Sequence, residues 1–402
     1  MSIAIIFPHP LSGSLGSFRR VKEIALSVSA KMDVKVNIYT PYERENSVLT
    51  DMLIVKPVPR SMLVFGLSDI AYRLSKTLYY HPLFSRKLLI KSIDLSKFLL
   101  YEKLRDLLSQ DEVAVIQAEH DVTVPLALKL GKELGVPVIA DLHNISAEEL
   151  VAAGILRSGD EFYVELQSYM RRWLSDVDFI CVVSEEMKQY VKSEYNLSNS
   201  KILVVPPGGR LRRVRTPVNL RNNRVVFMGT ISYREHVDLY VKSIPFVQKG
   251  AENVKFYATR RGEDLGRLKS LCKKLRIPMN WFWFPSEEDL YKFLCDCSVG
   301  VLPSSNDRAR ILGTPIKLLD YMSMGLPVVA NHVDGWSRII EEEEVGILTD
   351  DNPEDFGSAI LELLHDEDLR AKMSYNALNA VKEKYNWDKT VEPLVKVYEN
   401  FF

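Results

Sequence analysis

A chain of 402 residues, 47% hydrophobic and 26% charged, exceeds the usual size of one domain and has ordinary water-soluble globular composition. Its 52 basic and 53 acidic side chains leave a formal net charge of −1, which excludes a general nucleic-acid binder. Four cysteines in this length, Cys181, Cys272, Cys295 and Cys297, exclude a disulfide scaffold, and the lack of a C-x-x-C pair argues against a structural zinc site. The opening MSIAIIFPHP lacks a basic region, and Pro8 ends its apolar run too early for a signal peptide. No stretch approaches the ~18 apolar residues that a membrane span needs. The expectation is a two-domain protein of a reducing, cytoplasmic compartment.

In chain order, Ile3–Phe7 reads as a buried strand and Pro8–Gly16 as a loop. Ser17–Ala30 follows with helical spacing, placing Phe18, Val21, Ile24, Ala25 and Val28 on one face. Val34–Tyr39, Val113–Gln117, Val136–Ala140 and Phe179–Val183 read as further strands separated by helical stretches. The pattern restarts with Arg224–Met228, Val254–Ala258, Trp281–Phe284, Val299–Leu302 and Val328–Ala330. Strands alternating with helices predict mostly parallel sheets covered on both faces, hence two Rossmann-like, doubly wound α/β domains facing a central cleft. The expected limits are 1–206 and 224–386, joined by an acid-free, Pro/Gly/Arg-rich linker at 207–223. A C-terminal helix at 387–402 is expected to cap the second domain or cross back to the first. Residues 61–105 interleave basic and aromatic side chains, which reads either as helices with solvated basic faces or as a surface for anionic lipid or a lipid-linked substrate.

Ligands of open α/β sheets sit beyond the carboxyl ends of the strands, so the loops there carry the candidate residues. Gly13 and Gly16, in a G-x-x-G spacing before a helix, permit close approach of an anionic ligand. Glu119 and His120 follow the strand VAVIQ, and Asp141 and His143 follow VPVIA, where an imidazole can donate, accept or shuttle a proton. In SSNDRARILGTPIKLLDYMSMGLPVVAN, residues 304–331, Gly313-Thr314-Pro315 opens a helix with Thr314 as candidate N-cap. Lys317 lies in its first turn and Asp320 on the same face. Amides and a cation suit a phosphate, and a carboxylate accepts ribose hydroxyls. A bare surface ion pair is the competing explanation of the same spacing. Asp176-Val177-Asp178 matches a D-x-D metal pattern, but it precedes a buried strand, and no metal site is expected.

GTPIKLLDYMSMGLPVVAN resembles the nucleotide-sugar motif of two-Rossmann (GT-B type) glycosyltransferases, most like family 4. FICVVSEEMKQYV with KILVVPPGG resembles that family's first-domain ending, VVFMGTISYREHVDLYVKSI the opening of its second domain, and NWDKTVEPLVKVYENF its closing helix, which crosses back to the N-terminal domain. The resemblance implies a sugar moved from a UDP- or GDP-type donor to a hydroxyl acceptor, with retention and without a metal or other cofactor, in glycan, glycolipid or polysaccharide assembly. A lipid-linked acceptor would bring peripheral membrane contact through 61–105 at the inner face. Asp320 would hold the ribose, Gly313 and Thr314 the diphosphate, His143 the transferred sugar, and Gly16 would belong to the N-terminal glycine loop. If the reaction inverted instead, Glu119, His120 or Asp141 would be candidate bases.

The chain departs from the family at charged positions. Leu312 stands where a Glu is usual, and Thr230 and Glu235 stand where an Arg and a Lys neutralise the diphosphate, with His236 in place of Gly. Arg234, Lys317, Arg308, Arg310, Arg260, Arg261 and the linker arginines Arg210, Arg212 and Arg213 are candidate replacements. A sugar-nucleotide epimerase of similar build and a non-catalytic homologue are the alternatives.

Overall fold

The computed structural model describes residues 1–8, 15–40, 47–58, 101–211, 222–284 and 286–402. Gly13, Arg212, Arg213 and nearly all of the basic-aromatic segment lie outside them. The chain divides into two units, Met1–Pro206 with Val391–Phe402, and Pro207–Thr390.

The first unit is built on an eight-stranded sheet ordered β3-β4-β2-β1-β5-β6-β7-β8. Its strands are β1 (Ser2–Ile6), β2 (Lys35–Thr40), β3 (Ser47–Thr50), β4 (Leu53–Pro57), β5 (Val113–Glu119), β6 (Val138–Leu142), β7 (Phe179–Val182) and β8 (Ile202–Val204). Every pairing is parallel except β3 with β4. The central strands β1 and β6 are buried along their whole length, as strands covered on both faces must be. The β3–β4 hairpin escapes sequence reading because it is short and its outer strand is exposed at Val48 and Leu49. The FICVVS segment is a strand leading to Ser184, whose Oγ accepts from the Met187 amide at 3.0 Å and so caps the helix Glu185–Tyr195. Asp178 spends its carboxylate on the Val138 amide at 2.8 Å, a structural use of the D-x-D stretch.

The second unit carries a six-stranded, all-parallel sheet ordered β11-β10-β9-β12-β13-β14. These strands are β9 (Arg224–Phe227), β10 (Lys255–Thr259), β11 (Met279–Phe282), β12 (Val299–Leu302), β13 (Val328–Asn331) and β14 (Gly346–Thr349). Alternation along β9 sends Val225 and Phe227 into one hydrophobic core and Val226 and Met228 into the other, so helices cover both faces. The closing segment is not one helix. Trp387–Thr390 is a helical turn of the second unit, and a second helix, Glu392–Tyr398, belongs to the first.

Two contacts in the second unit position the later chemistry. The Met228 amide donates to Tyr321 Oη at 2.8 Å, and that hydroxyl donates to the Val226 carbonyl at 3.1 Å, stapling the helix Ile316–Ser323 to the end of β9. The loop after β9 is pinned by Gly262 (φ 137°), where an added Cβ would lie 1.9 Å from the Ile231 carbonyl oxygen. Ile231 in turn accepts at 3.2 Å from the Asp264 amide and donates at 2.7 Å to the Arg261 carbonyl. Gly262→Ala is therefore expected to destabilise the second unit by roughly 2 kcal/mol or more, through backbone overlap and a positive φ together. Thermal or denaturant unfolding of the variant checks it.

Candidate functional site

Leaving aside the antiparallel β3–β4 hairpin, each sheet reverses its strand order once, between β1 and β5 in the first unit and between β9 and β12 in the second. The carboxyl ends of such a strand pair are where open α/β sheets bind ligands. The candidate residues gather near those two places.

In the first unit Glu119 and Asp141 are not loop residues. Glu119 closes β5 and Asp141 is the last but one residue of β6, and they face each other across the parallel ladder. Both are fully buried. Arg20, from the helix Leu15–Met32 that follows β1, holds Asp141 with Nη2 3.0 Å from Oδ1 and 3.3 Å from Oδ2. His143 Nε2 stands 2.6 Å from Glu119 Oε2 and 3.6 Å from Asp141 Oδ1. Gln117 Nε2 donates to Glu119 Oε1 at 2.6 Å and to Asp141 Oδ2 at 3.3 Å, while Tyr398 from the closing helix donates its hydroxyl to Gln117 Oε1. His120 has an unusual backbone for a non-glycine residue (φ 64°, ψ 154°) and pairs through Nδ1 with Asn144 Oδ1 at 2.9 Å. Its ring lies 4.5 Å from that of His143, centroid to centroid.

The charges of this network decide its chemistry. Burial works against a charge on His143, but Asp141 and Glu119 overcome it and push the imidazole up to about 9. Burial would likewise raise Asp141, yet Arg20 and His143 hold it at about 2. Burial and the neighbouring Asp141 raise Glu119 from its ordinary value. His143 is therefore an imidazolium near neutral pH, a hydrogen-bond donor and a fixed positive charge rather than a proton shuttle. Glu119, Asp141 and His143 each offer a donor atom within 4.8 Å of one another, a spacing a cation could use. Arg20 and the imidazolium already place two positive charges against the two carboxylates, and that balance fits a closed charge network better than a metal centre. Gly16 lies in the first turn of the helix Leu15–Met32, not in the loop before it.

In the second unit the helix Ile316–Ser323 starts after Pro315, which is itself the N-cap (φ −72°, ψ 118°). Thr314 is therefore not the cap: Pro315 is itself still extended, so the helix begins one residue later than the Gly-Thr-Pro pattern suggests. Gly313 ends the short helix Arg308–Leu312, its amide donating to the Arg310 carbonyl at 3.3 Å. Asp320 is 4% exposed and accepts from Tyr291 Oη at 3.3 Å. Lys317 packs against the Phe227 ring and pairs with Glu235 Oε2, and Arg310 Nη2 lies 2.5 Å from Glu235 Oε1. Burial would raise Glu235, but Lys317 and Arg310 hold it at about 2; burial lowers Lys317 despite Glu235. The Arg234 guanidinium lies 4.0 Å from Asp307, and its carbonyl accepts from the Ser305 amide and hydroxyl at 3.1 and 3.0 Å. Arg261 lies over the Trp283 ring, 5.4 Å from its centroid. His236 has left-handed backbone (φ 50°), the conformation that makes glycine usual there, and is held by Asp351 at 2.7 Å.

Residues that sequence reasoning passed over complete both places. Arg20 stands four residues before Ile24 on the apolar stripe, and a cation on a core face is the signal of a buried ion pair. Gln117, Tyr398 and Tyr291 carried no local signal.

Two α/β units of this kind belong to the doubly wound class, a fold that does not by itself fix an activity. Family profiles narrow it. "Glycosyltransferase Family 4" matches residues 62–213 and "Glycosyl transferases group 1" matches 222–366. An uncharacterized glycosyltransferase of Methanocaldococcus jannaschii is 23% identical over 236 residues, covering 55% of this chain and 58% of that relative's length. The sucrose-phosphate synthase of Thermosynechococcus elongatus has the same fold, with TM-score 0.73, 15% identity and coverage of 100% and 99% of the two chains. So does Anabaena HepE, solved in complex with UDP, with TM-score 0.63, 13% identity and full coverage of both chains. The chain belongs to the group 1, family 4 glycosyltransferases of GT-B fold.

The raised His143 stabilises the first unit fully below its ordinary value of 6.5 and loses that contribution as pH rises through about 9. The stability advantage of the wild type over His143→Asn is expected to fade across that window in thermal denaturation. Glu119→Gln should lower the imidazole titration seen by NMR.

Proposed function

We propose that this protein transfers a hexose-type sugar from a UDP- or GDP-type donor to a hydroxyl acceptor, with retention at the anomeric carbon. The observation that carries the reading is the grouping of Lys317, Arg310 and Asp320 beside the β9–β12 switch point. Lys317 and Arg310 supply the charge that the family's usual Arg and Lys would supply, and so stabilise the departing diphosphate. Asp320 accepts from ribose hydroxyls. His143 donates to a sugar hydroxyl. The retaining course is supported by the state of the first-unit network. Of the candidate bases, Asp141 is locked to Arg20, Glu119 is sealed between Gln117 and His143, and His120 is engaged through Nδ1 by Asn144, while His143 already carries its proton. UDP in the Anabaena structure of like fold supports the UDP-type donor.

The acceptor is proposed to be lipid-linked, met through the basic-aromatic stretch 61–105 during glycan or glycolipid assembly. Among the described residues no helix is long and apolar enough to cross a membrane. The contact is proposed to be peripheral, at the cytoplasmic face. Salt-sensitive sedimentation with anionic vesicles is the expected result; no association would remove this part of the proposal.

Calorimetric titration with UDP, GDP, ADP and dTDP, without added metal, tests the donor reading. One nucleotide is expected to bind in the micromolar range, and Asp320→Ala to weaken it roughly ten- to a hundredfold, the worth of a charge-assisted hydrogen bond. Binding of none would leave a non-catalytic homologue. Conversion of the donor sugar without an acceptor would point to an epimerase.

A further inference from the structure

At the donor site one carboxylate serves two cations. Glu235 Oε1 faces Arg310 Nη2 at 2.5 Å and Oε2 faces Lys317 Nζ, one oxygen to each cation, as two non-bridging oxygens of a phosphate would be shared. The three side chains are 12%, 25% and 16% exposed in the order Glu235, Arg310, Lys317, enclosed but reachable. The backbone that presents Glu235 is tied down: the Arg234 carbonyl accepts from Ser305, and the Glu235 amide donates to the Ser232 carbonyl at 3.1 Å. An exchange of partners therefore falls to the side chain.

We infer that Glu235 is the resident anion of the donor site: it occupies the place of a donor phosphate, so that nucleotide binding exchanges one anion for another. The inference rests on the reading that Lys317 and Arg310 receive the diphosphate. Two enclosed cations without an anion would repel each other and lack compensation. Glu235 removes that cost in the empty site. An arriving diphosphate brings its own negative charges, and with the carboxylate still in place the site would hold an excess of them. Glu235 must then leave its partners. Its wish to return opposes retention of the departed nucleoside diphosphate and favours product release. The carboxylate at a position where the family places a lysine thus sets the affinity for nucleotide.

The test compares wild type with Glu235→Gln, using UDP and inorganic pyrophosphate as probes. Without ligand the variant should melt lower than wild type, since Lys317 and Arg310 lose their counter-charge. Pyrophosphate should raise its melting temperature more than that of wild type. UDP should bind the variant at least about tenfold tighter by calorimetry, the worth of one competing charge-assisted contact. Glu235→Asp, whose shorter arm cannot span both cations, should shift both readouts the same way and serves if the glutamine variant does not fold. Equal or weaker UDP binding by both variants, with wild-type binding that Asp320→Ala still weakens, overturns the inference alone. Failure of wild type and variants alike to bind any of the four nucleotides overturns the inference and the donor reading together.

Discussion

Parallel strands whose crossovers depart to opposite sides cannot be roofed at their carboxyl ends, and the chemistry of each unit stands near that opening. β1 with β5, and β9 with β12, are the two strand pairs where this happens. Where such strands are buried on both faces, the residues near their carboxyl ends are fixed in place by the ladder. Glu119 and Asp141 are therefore partners by register before any side-chain contact is considered. Everything else at the first-unit site, from Arg20 to His143, answers the cost of burying two carboxylates side by side.

The two sites solve the same electrostatic problem with opposite signs. In the first, buried acids come first, and a guanidinium and an imidazolium neutralise them. In the second, two cations come first, and a single carboxylate neutralises them. Neither arrangement is strongly stabilising on balance, since removing charges from water consumes most of what their attraction returns. What they provide is definite protonation and orientation: a histidine that stays charged, and a lysine and an arginine held apart at the spacing of a carboxylate.

The departures from the family's charge pattern fall into place once side chains are located. The left-handed backbone at His236 explains why glycine is usual there and what the histidine must tolerate. Glu235 does not simply subtract a positive charge. It engages Lys317 and Arg310, which lie beyond β12, and so links the loop after β9 to the helix region that carries Asp320. Tyr321 makes the same link through the backbone of β9, which couples the position of the helix to the strand end.

From the sequence alone came the α/β alternation, the restart after residue 220, most strand positions, and the family carried by GTPIKLLDYMSMGLPVVAN. These are local properties: period, turn residues and motif spacing follow from neighbours in the chain. The short edge strand β3 was not legible, because its two apolar residues, Val48 and Leu49, are adjacent and exposed and show no alternation. His143, Asp320 and Lys317 could be named from their places beside strand ends and a helix start, but not their states. That His143 is an imidazolium depends on Glu119, Asp141 and Arg20, the last 121 residues from its partner Asp141. That Lys317 pairs with Glu235 depends on a contact across 82 residues. Protonation and pairing follow from distance, burial and dielectric surroundings, and those exist only when the chain has folded.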